Sequence, residues 1–175
     1  ANVMGFGADT KSWADLAKTC EEAGADIIEL DLSCPHTAFV ESPELASIKE
    51  VAGLPPSTIA DTDLAAKIVK ESTKACKVPV GYKMSPESGW PRMTYIAKAC
   101  QEGGARFVSC TNAITGLPQI DIYNDGKMYY QYGGQTIGLT PGEQIPLVFY
   151  IGNANRFLGM RSVATIKTFV PQLDV

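Results

Sequence analysis

The sequence predicts an α/β fold in which parallel strands alternate with helices, as in the units of a βα barrel. One indication is the apolar strand Ile27–Ser33, which has a helix-like segment before it and another after its loop. A strand in that position fits a parallel sheet covered on both sides. A second indication is a repeat, because residues 17–25 (AKTCEEAGA) return 80 positions later as residues 97–105 (AKACQEGGA). Two strand–helix units of about 40 residues fit that spacing, and chance likeness of two amphipathic helix ends is the alternative.

The first elements follow from apolar spacing and from capping residues. A helix begins at Asp9 or Thr10, and Gly24 suits the position just after its end. Its apolar stripe comprises Trp13, Leu16, Ala17 and Cys20. After the strand, residues 36–60 have no clear periodicity beyond one helical turn near residues 44–51. A connection of this length is typical of an active-site loop.

Two further strand–helix units follow. A helix is predicted from about Asp61 to Lys74, and a strand over Val78–Met84. Pro91 suits the first position of the next helix, which a glycine pair at 103–104 closes. That helix turns four residues inward, Met93, Ile96, Ala97 and Cys100. Arg106–Asn112 is the strand after it.

The last third is less regular. Ile120–Tyr132 is predicted to form a hairpin that turns at Asn-Asp-Gly, and its tyrosines suit an interface, a lid or an exposed loop edge equally. Residues 135–154 give no clear prediction. A helix is expected over Arg156–Phe169, and Gln172–Val175 has the pattern of a strand that is beginning.

Composition limits the classes of protein. A chain of 175 residues that is 45% hydrophobic can bury one core, which predicts a single domain without disorder. A net charge of -4 argues against general nucleic-acid binding, and no apolar run approaches the roughly 20 residues of a membrane span. The five cysteines form no C-x-x-C pair, so the sequence signals neither zinc nor an iron–sulfur cluster. Unpaired cysteines favour a reducing cytoplasm.

Polar residues stand at the ends of several predicted strands. Glu29 and Asp31 share a face of their strand with Ser33, while Lys83 and Asn112 interrupt otherwise apolar strands. Because strand ends meet at one rim of a βα barrel, we expect these side chains to converge on a ligand site. A buried lysine needs an anion, which predicts either a ligand of negative character or a carboxylate such as Glu29 or Asp31. A purely structural ion pair is the alternative.

At these residues the sequence resembles a known family. Four segments occur in the order and approximate spacing of the flavin-binding barrel shared by dihydroorotate and dihydropyrimidine dehydrogenases, and the second branch is the more similar. These segments are ELDLSCPH at 29–36, GYKM at 81–84, TNAITG at 111–116 and YGG at 132–134. The resemblance implies an FMN-dependent oxidoreductase that acts on the C5–C6 bond of a pyrimidine or dihydropyrimidine.

The resemblance also implies a role for each motif residue. Cys34 corresponds to the family's proton donor or acceptor at C5 of the substrate, and His36 either tunes that thiol or faces solvent. Lys83 corresponds to the lysine that contacts the flavin ring near N1 and O2. Asn112 corresponds to the asparagine that binds the amide edge of the substrate. Gly133–Gly134 correspond to a turn whose backbone approaches the flavin phosphate.

Two positions depart from the family pattern within the expected substrate site. Asp31 replaces an asparagine, and Ala113 replaces a hydroxyl residue. An ionised aspartate only accepts hydrogen bonds, so it would disfavour a carbonyl group or an anionic substrate unless a neighbour such as Glu29 keeps it protonated. Flavin binding is therefore better supported than pyrimidine specificity. The alternatives are the same barrel acting on a non-pyrimidine cyclic substrate, or a degenerate structural or electron-transfer subunit.

The chain is also shorter than the family's barrel. Residues 1–175 supply about four βα units, so we expect a partial FMN-binding barrel domain that is truncated at both ends. The expected partners are a small-molecule substrate and a subunit or domain that carries iron–sulfur clusters or oxidises NAD(P)H. The family often forms dimers, which also predicts a homodimer.

Overall fold

The computed structural model describes residues 1–5, 8–33, 62–116, 120–125, 127–128, 136–140, 143–146, 148–150 and 155–175. These residues form two units. The first comprises Ala1–Asn112 with Phe157–Val175, and the second comprises Ala113–Arg156.

The first unit alternates strands with helices, as the sequence predicts. In chain order it contains β1 (Asn2–Val3), α1 (Thr10–Glu22), β2 (Ile28–Asp31), α2 (Thr62–Ala75), β3 (Val80–Met84), a short 3-10 helix (Pro86–Ser88), α3 (Arg92–Glu102), β4 (Val108–Cys110) and α4 (Arg156–Phe169). The bounds of α4 are those predicted. The strands are shorter than predicted: Ile27 is exposed and precedes β2, while Leu32 and Ser33 already form a turn.

The four strands form one parallel sheet in the order β1-β2-β3-β4. Asp174 forms a parallel bridge with Phe107, so the segment predicted to begin another strand does lie beside β4. Among the described strands of this sheet, the order follows chain order, without the reversal that marks a doubly wound sheet. The predicted α/β class with parallel strands is confirmed.

The hydrophobic core lies between this sheet and its helices. Four side chains of β2 and β3, those of Ile28, Leu30, Tyr82 and Met84, are buried in one cluster with residues of the helices. The helical contributors are Trp13, Ala17, Ala65, Ile68, Val69, Met93, Ile96, Ala97, Cys100 and Ile166. All four residues that were predicted to face inward from α3 do so, whereas Leu16 of α1 is 38% exposed, contrary to the predicted stripe. No helix in the described part of the chain is long and apolar enough to cross a membrane.

The repeat predicted from the sequence corresponds to a repeated structure. Helices α1 and α3 end at Glu22 and Glu102, and each is followed by a glycine with positive φ, Gly24 at 101° and Gly104 at 106°. After α1, Gly24 donates to the carbonyl of Glu21 and Ala25 to that of Cys20; after α3, the equivalent residues repeat both bonds. This is the Schellman motif, in which a left-handed residue ends a helix. Both copies lead directly into a strand of the sheet.

The starts of these two helices differ from each other. The side chain of Asp9 accepts the backbone N–H of Lys11 at 3.0 Å, which confirms Asp9 as the cap of α1. Pro91 occupies the capping position before α3 rather than its first helical position, and it makes no side-chain hydrogen bond there. Its missing N–H is tolerated because helix starts leave that donor without a partner inside the helix.

The second unit consists of antiparallel strand pairs. Its strands are β5 (Ile114–Gly116), β6 (Ile120–Asp121), β7 (Lys127–Met128), β8 (Thr136–Thr140), β9 (Glu143–Pro146) and β10 (Val148–Tyr150). β6 pairs with β7, which confirms the hairpin in the part that is described. β8 pairs with β9 across an irregularity near Gly138, and β5 pairs with β10. Strands β8, β9 and β10 lie in residues 135–154, for which there was no clear prediction.

Candidate active site

One face of the parallel sheet carries polar side chains. Asp31, Lys83 and Ser109 are partners in register on β2, β3 and β4, so they share a face. Glu29 lies two residues before Asp31 and is the register partner of Asn2 on β1. Because side chains alternate along a strand, this face is opposite the one that packs in the core. Its polar character marks it as the place for a site.

Glu29 connects three strands of this face. Its carboxylate accepts hydrogen bonds from the side-chain amide of Asn2 and from the hydroxyl of Ser109. The register partner of Glu29 on the intervening strand is Gly81. A Cβ at Gly81 would lie 2.5 Å from the ring of Phe107, so only glycine fits there. A glycine inside a predicted strand is the one sign of this close approach that can be read from the sequence.

Asp31 is buried at the carboxyl end of β2, and both its oxygens have neighbours. Oδ1 accepts the backbone N–H of Ser33 at 3.0 Å and the hydroxyl of Ser33 at 2.7 Å. Oδ2 lies 3.8 Å from Nζ of Lys83. Of the two carboxylates proposed from the sequence as partners of Lys83, it is therefore Asp31 that forms the ion pair.

The ion pair leaves the ammonium group of Lys83 able to make further contacts. A separation of 3.8 Å exceeds hydrogen-bond distance, so the attraction is Coulombic and uses none of the three N–H donors. The side chain of Lys83 is 29% exposed. Both properties fit a lysine that contacts a flavin ring near N1 and O2, the role that the resemblance implies for Lys83.

Asn112 attaches the end of β4 to the ends of its neighbours. Its backbone N–H donates to the carbonyl of Met84 at 3.0 Å, and its side-chain amide donates to the carbonyl of Ser33 at 2.6 Å. The turn after β2 is thus connected to β4 as well as to Asp31. The predicted convergence of Asp31, Lys83 and Asn112 at one edge of the sheet is present in the structure.

The structure says less about the other predicted site residues. Cys34, His36, Gly133 and Gly134 lie outside the described residues. Ala113 is the first residue of the second unit, and its role remains a prediction.

The described cysteines have the character of structural residues. Cys20, Cys76, Cys100 and Cys110 are all free thiols. Burial raises the pKa of the Cys110 thiol to about 11, and it raises the pKa of the fully buried Cys100 further. Such thiols are protonated at neutral pH and poor at proton exchange with a substrate.

The known proteins that are similar to this chain belong to one class of enzyme, the dehydrogenases. The chain is 30% identical to the NAD-dependent dihydropyrimidine dehydrogenase subunit PreA of Escherichia coli K12, over 96% of the chain and 34% of that protein. It is 32% identical to the catalytic subunit of dihydroorotate dehydrogenase B (NAD(+)) of Thermoplasma volcanium, over 74% of the chain and 37% of that protein. It is 26% identical to the same subunit of Lachnoclostridium phytofermentans, over 85% of the chain and 44% of that protein.

These relatives confirm the resemblance to dihydropyrimidine and dihydroorotate dehydrogenases that the motifs predict. The chain spans about a third of the length of the first two relatives. No protein-family model matches the chain.

Proposed function

We propose that this chain is part of an FMN-dependent dehydrogenase that acts on the C5–C6 bond of a pyrimidine or dihydropyrimidine ring. The observation that carries the proposal is the meeting of Asp31, Lys83 and Asn112 at the carboxyl edge of adjacent parallel strands. Ligand sites of βα proteins lie at that edge. The similarity to dehydrogenases of both pyrimidine types supports the choice of chemistry.

Lys83 is the residue of this chain that would hold the flavin ring. When bound, FMN supplies hydride exchange with a ring carbon of the substrate. The ion pair with Asp31 uses none of the donors of the Lys83 ammonium, and the positive charge of Lys83 would stabilise negative charge on the ring. Gly133 and Gly134 complete the proposed cofactor site, where a backbone without Cβ atoms allows close approach of a phosphate.

Asn112 and Cys34 would act on the substrate itself. The side chain of Asn112 is held at the end of β4 by its hydrogen bond to the carbonyl of Ser33, which places it where the amide edge of a substrate would bind. Cys34 follows Ser33 in the chain and would donate a proton to C5, or remove one, on the face of the ring away from the flavin. Ala113 would lie against the substrate without a polar contact.

The domain proposed for residues 1–175 is part of a βα barrel. Successive parallel strands in chain order, with helices between them, are the arrangement of such a barrel. The relatives are named as subunits, which supports a partner chain that carries iron–sulfur clusters or exchanges electrons with NAD(P)H. A homodimer and a cytoplasmic location complete the proposal.

Flavin content tests the proposal directly. We expect the intact purified protein to be yellow, to release FMN on denaturation and to take up FMN again after it is removed. Its flavin should be reduced by a dihydropyrimidine or by dihydroorotate under anaerobic conditions. Colourless protein that takes up no FMN would contradict the proposal, and flavin reduced only by non-pyrimidine ring compounds would replace its substrate.

A further inference from the structure

The first unit has a cavity of about 270 Å³ at the edge of the sheet opposite the candidate active site. It lies at the amino-terminal ends of β3 and β4, where its lining includes residues 78–80 and Arg106. Thr73 and Cys76, at the end of α2, and Gly104, after α3, also line it. A cavity of this volume is at the small end of the range for ligand pockets, so it suits a ligand with a single ring.

Two positively charged residues, Lys77 and Arg106, line this cavity. Both are exposed, and none of the described lining residues is acidic. Within the described part of the chain, neither of the two side chains forms an ion pair. The nearby carboxylate of Glu21 accepts hydrogen bonds from the backbone N–H of Lys77 and from the side chain of Lys18 instead. The positive charges of Lys77 and Arg106 are therefore free to attract an anion.

The hydroxyl of Thr73 is a third polar group at this cavity. A threonine inside a helix commonly donates its hydroxyl to the carbonyl one turn earlier, as Thr168 of α4 does to Ala164 at 2.8 Å. The hydroxyl oxygen of Thr73 is buried and has no hydrogen-bond partner among the described residues. A buried polar group without a partner is unfavourable, so an acceptor on a ligand would stabilise this hydroxyl.

The electrostatic balance of the cavity indicates the kind of anion. Helices α2 and α3 end at Ala75 and Glu102, beside the lining residues, and the carboxyl end of a helix carries a partial negative charge of roughly half an elementary charge. Two full positive charges outweigh two such helix ends, which leaves an excess of about one positive charge. A carboxylate, with a single negative charge, matches this excess better than a phosphate monoester, which carries nearly two.

We infer that this cavity is a second ligand site, which binds a small ring carboxylate with its charged group between Lys77 and Arg106 and its ring against residues 78–80. The planar guanidinium of an arginine matches the two oxygens of a carboxylate. The hydroxyl of Thr73 would donate a further hydrogen bond to the ligand. Because the cavity and the candidate active site lie at opposite edges of the sheet, the inference does not depend on the proposed function.

Isothermal titration calorimetry of the intact protein with benzoate tests the inference. Benzyl alcohol has the same ring without the charge, and phenyl phosphate carries a second charge. We expect benzoate to bind, benzyl alcohol to bind at least about tenfold more weakly, and phenyl phosphate to bind no more tightly than benzoate. Absence of benzoate binding, or tighter binding of phenyl phosphate, would overturn the inference.

Substitutions locate the binding. Arg106→Gln and Lys77→Gln should each weaken the binding of benzoate by roughly three- to tenfold at low ionic strength, because each removes one positive charge. Lys98→Gln is the matched control, since Lys98 is an exposed lysine of α3 that does not line the cavity. Thr73→Val should also weaken binding without lowering the Tm, because its hydroxyl has no partner to lose among the described residues. Wild-type affinity in both Arg106→Gln and Lys77→Gln would place the benzoate elsewhere and overturn the inference.

Discussion

At the scale of single residues, the site depends on charges that compensate one another. Lys83 is balanced by Asp31, and Glu29 accepts hydrogen bonds from Asn2 on β1 and from Ser109 on β4. None of these polar groups lies on the face that packs against the helices. An isolated buried charge would cost several kcal/mol, so the polar face is tolerated only because its members are paired.

Cys34 carries the sharpest prediction at this scale. Replacing Cys34 with serine should lower turnover by about 100-fold or more and leave flavin binding intact, because a hydroxyl is a far weaker acid than a thiol. The measurement is single-turnover reduction of the flavin by a dihydropyrimidine. Cys20→Ser is the control, since Cys20 lies on α1 and outside the proposed site. Turnover of Cys34→Ser within a few-fold of wild type would remove Cys34 from the mechanism.

At the scale of elements, Glu21 connects the end of α1 to the segment that enters β3. Its carboxylate accepts a hydrogen bond from Lys18 at 2.6 Å and the backbone N–H groups of Val78, at 2.9 Å, and Lys77. Lys18 first, and then these two backbone donors, lower the pKa of Glu21 to about 2. The charged form is thus the one that stabilises the fold.

The consequence is a dependence of stability on pH. A carboxyl with a lowered pKa contributes fully above its unfolded value of 4.5, and the contribution is lost as the pH falls from there toward about 2. Glu21→Gln should therefore lower the Tm by about 2–4 °C at pH 7, with a smaller difference from wild type at pH 3. Glu22→Gln, at an exposed neighbouring position, should change the Tm little. Equal effects of the two variants at pH 7 would refute the role of Glu21.

At the scale of the whole molecule, the parallel sheet and its helices share one hydrophobic cluster. Cys100 is completely buried in that cluster, and burial raises the pKa of its thiol. Its alkylation should therefore require unfolding of the core rather than a local movement.

Alkylation at increasing urea concentration tests whether Cys100 becomes accessible only when the core unfolds. We expect the labelling of Cys100 to have the same urea midpoint as the loss of helical circular dichroism. The less buried Cys20 should react at a lower urea concentration. Peptide mapping by mass spectrometry identifies the labelled residue. Labelling of Cys100 before the main transition would show that α3 opens independently of the sheet.

The sequence predicted the parts of the fold that depend on local pattern. The helices α1 to α4, the parallel sheet and both glycine turns follow from apolar spacing and from capping residues. Strand ends were less predictable, because they depend on backbone pairing. Ile28 to Asp31 pair with β3, whereas Ile27 and Ser33, which were predicted to belong to the strand, have no partner in that register. Strands β8 to β10 were not predicted, since β8 alternates over only five residues around a central glycine, and β9 and β10 do not alternate clearly between polar and apolar residues.

The residues of the candidate site could be predicted from the sequence, but the contacts between them were harder to predict. Alternation placed Asp31 and Lys83 on one face, but only the register shows that Asp31 rather than Glu29 is the partner of Lys83. The bridge from Glu29 to Ser109 joins residues of strands that are not neighbours, and no rule of local spacing reveals such a contact. The motif residues outside the described ranges remain predictions.

The bridge that Glu29 makes has a mechanical consequence. Because Glu29 contacts both Asn2 on β1 and Ser109 on β4, a displacement of the strand at one edge of the four-stranded sheet is transmitted to β4 at the other edge without passing through backbone pairing. Ser109 is the register partner of Lys83, so the geometry around the lysine is coupled to events at the far border of the sheet. Even a methyl group at residue 81 would clash with Phe107, two residues before Ser109, and so disturb the chain at the strand that receives this contact.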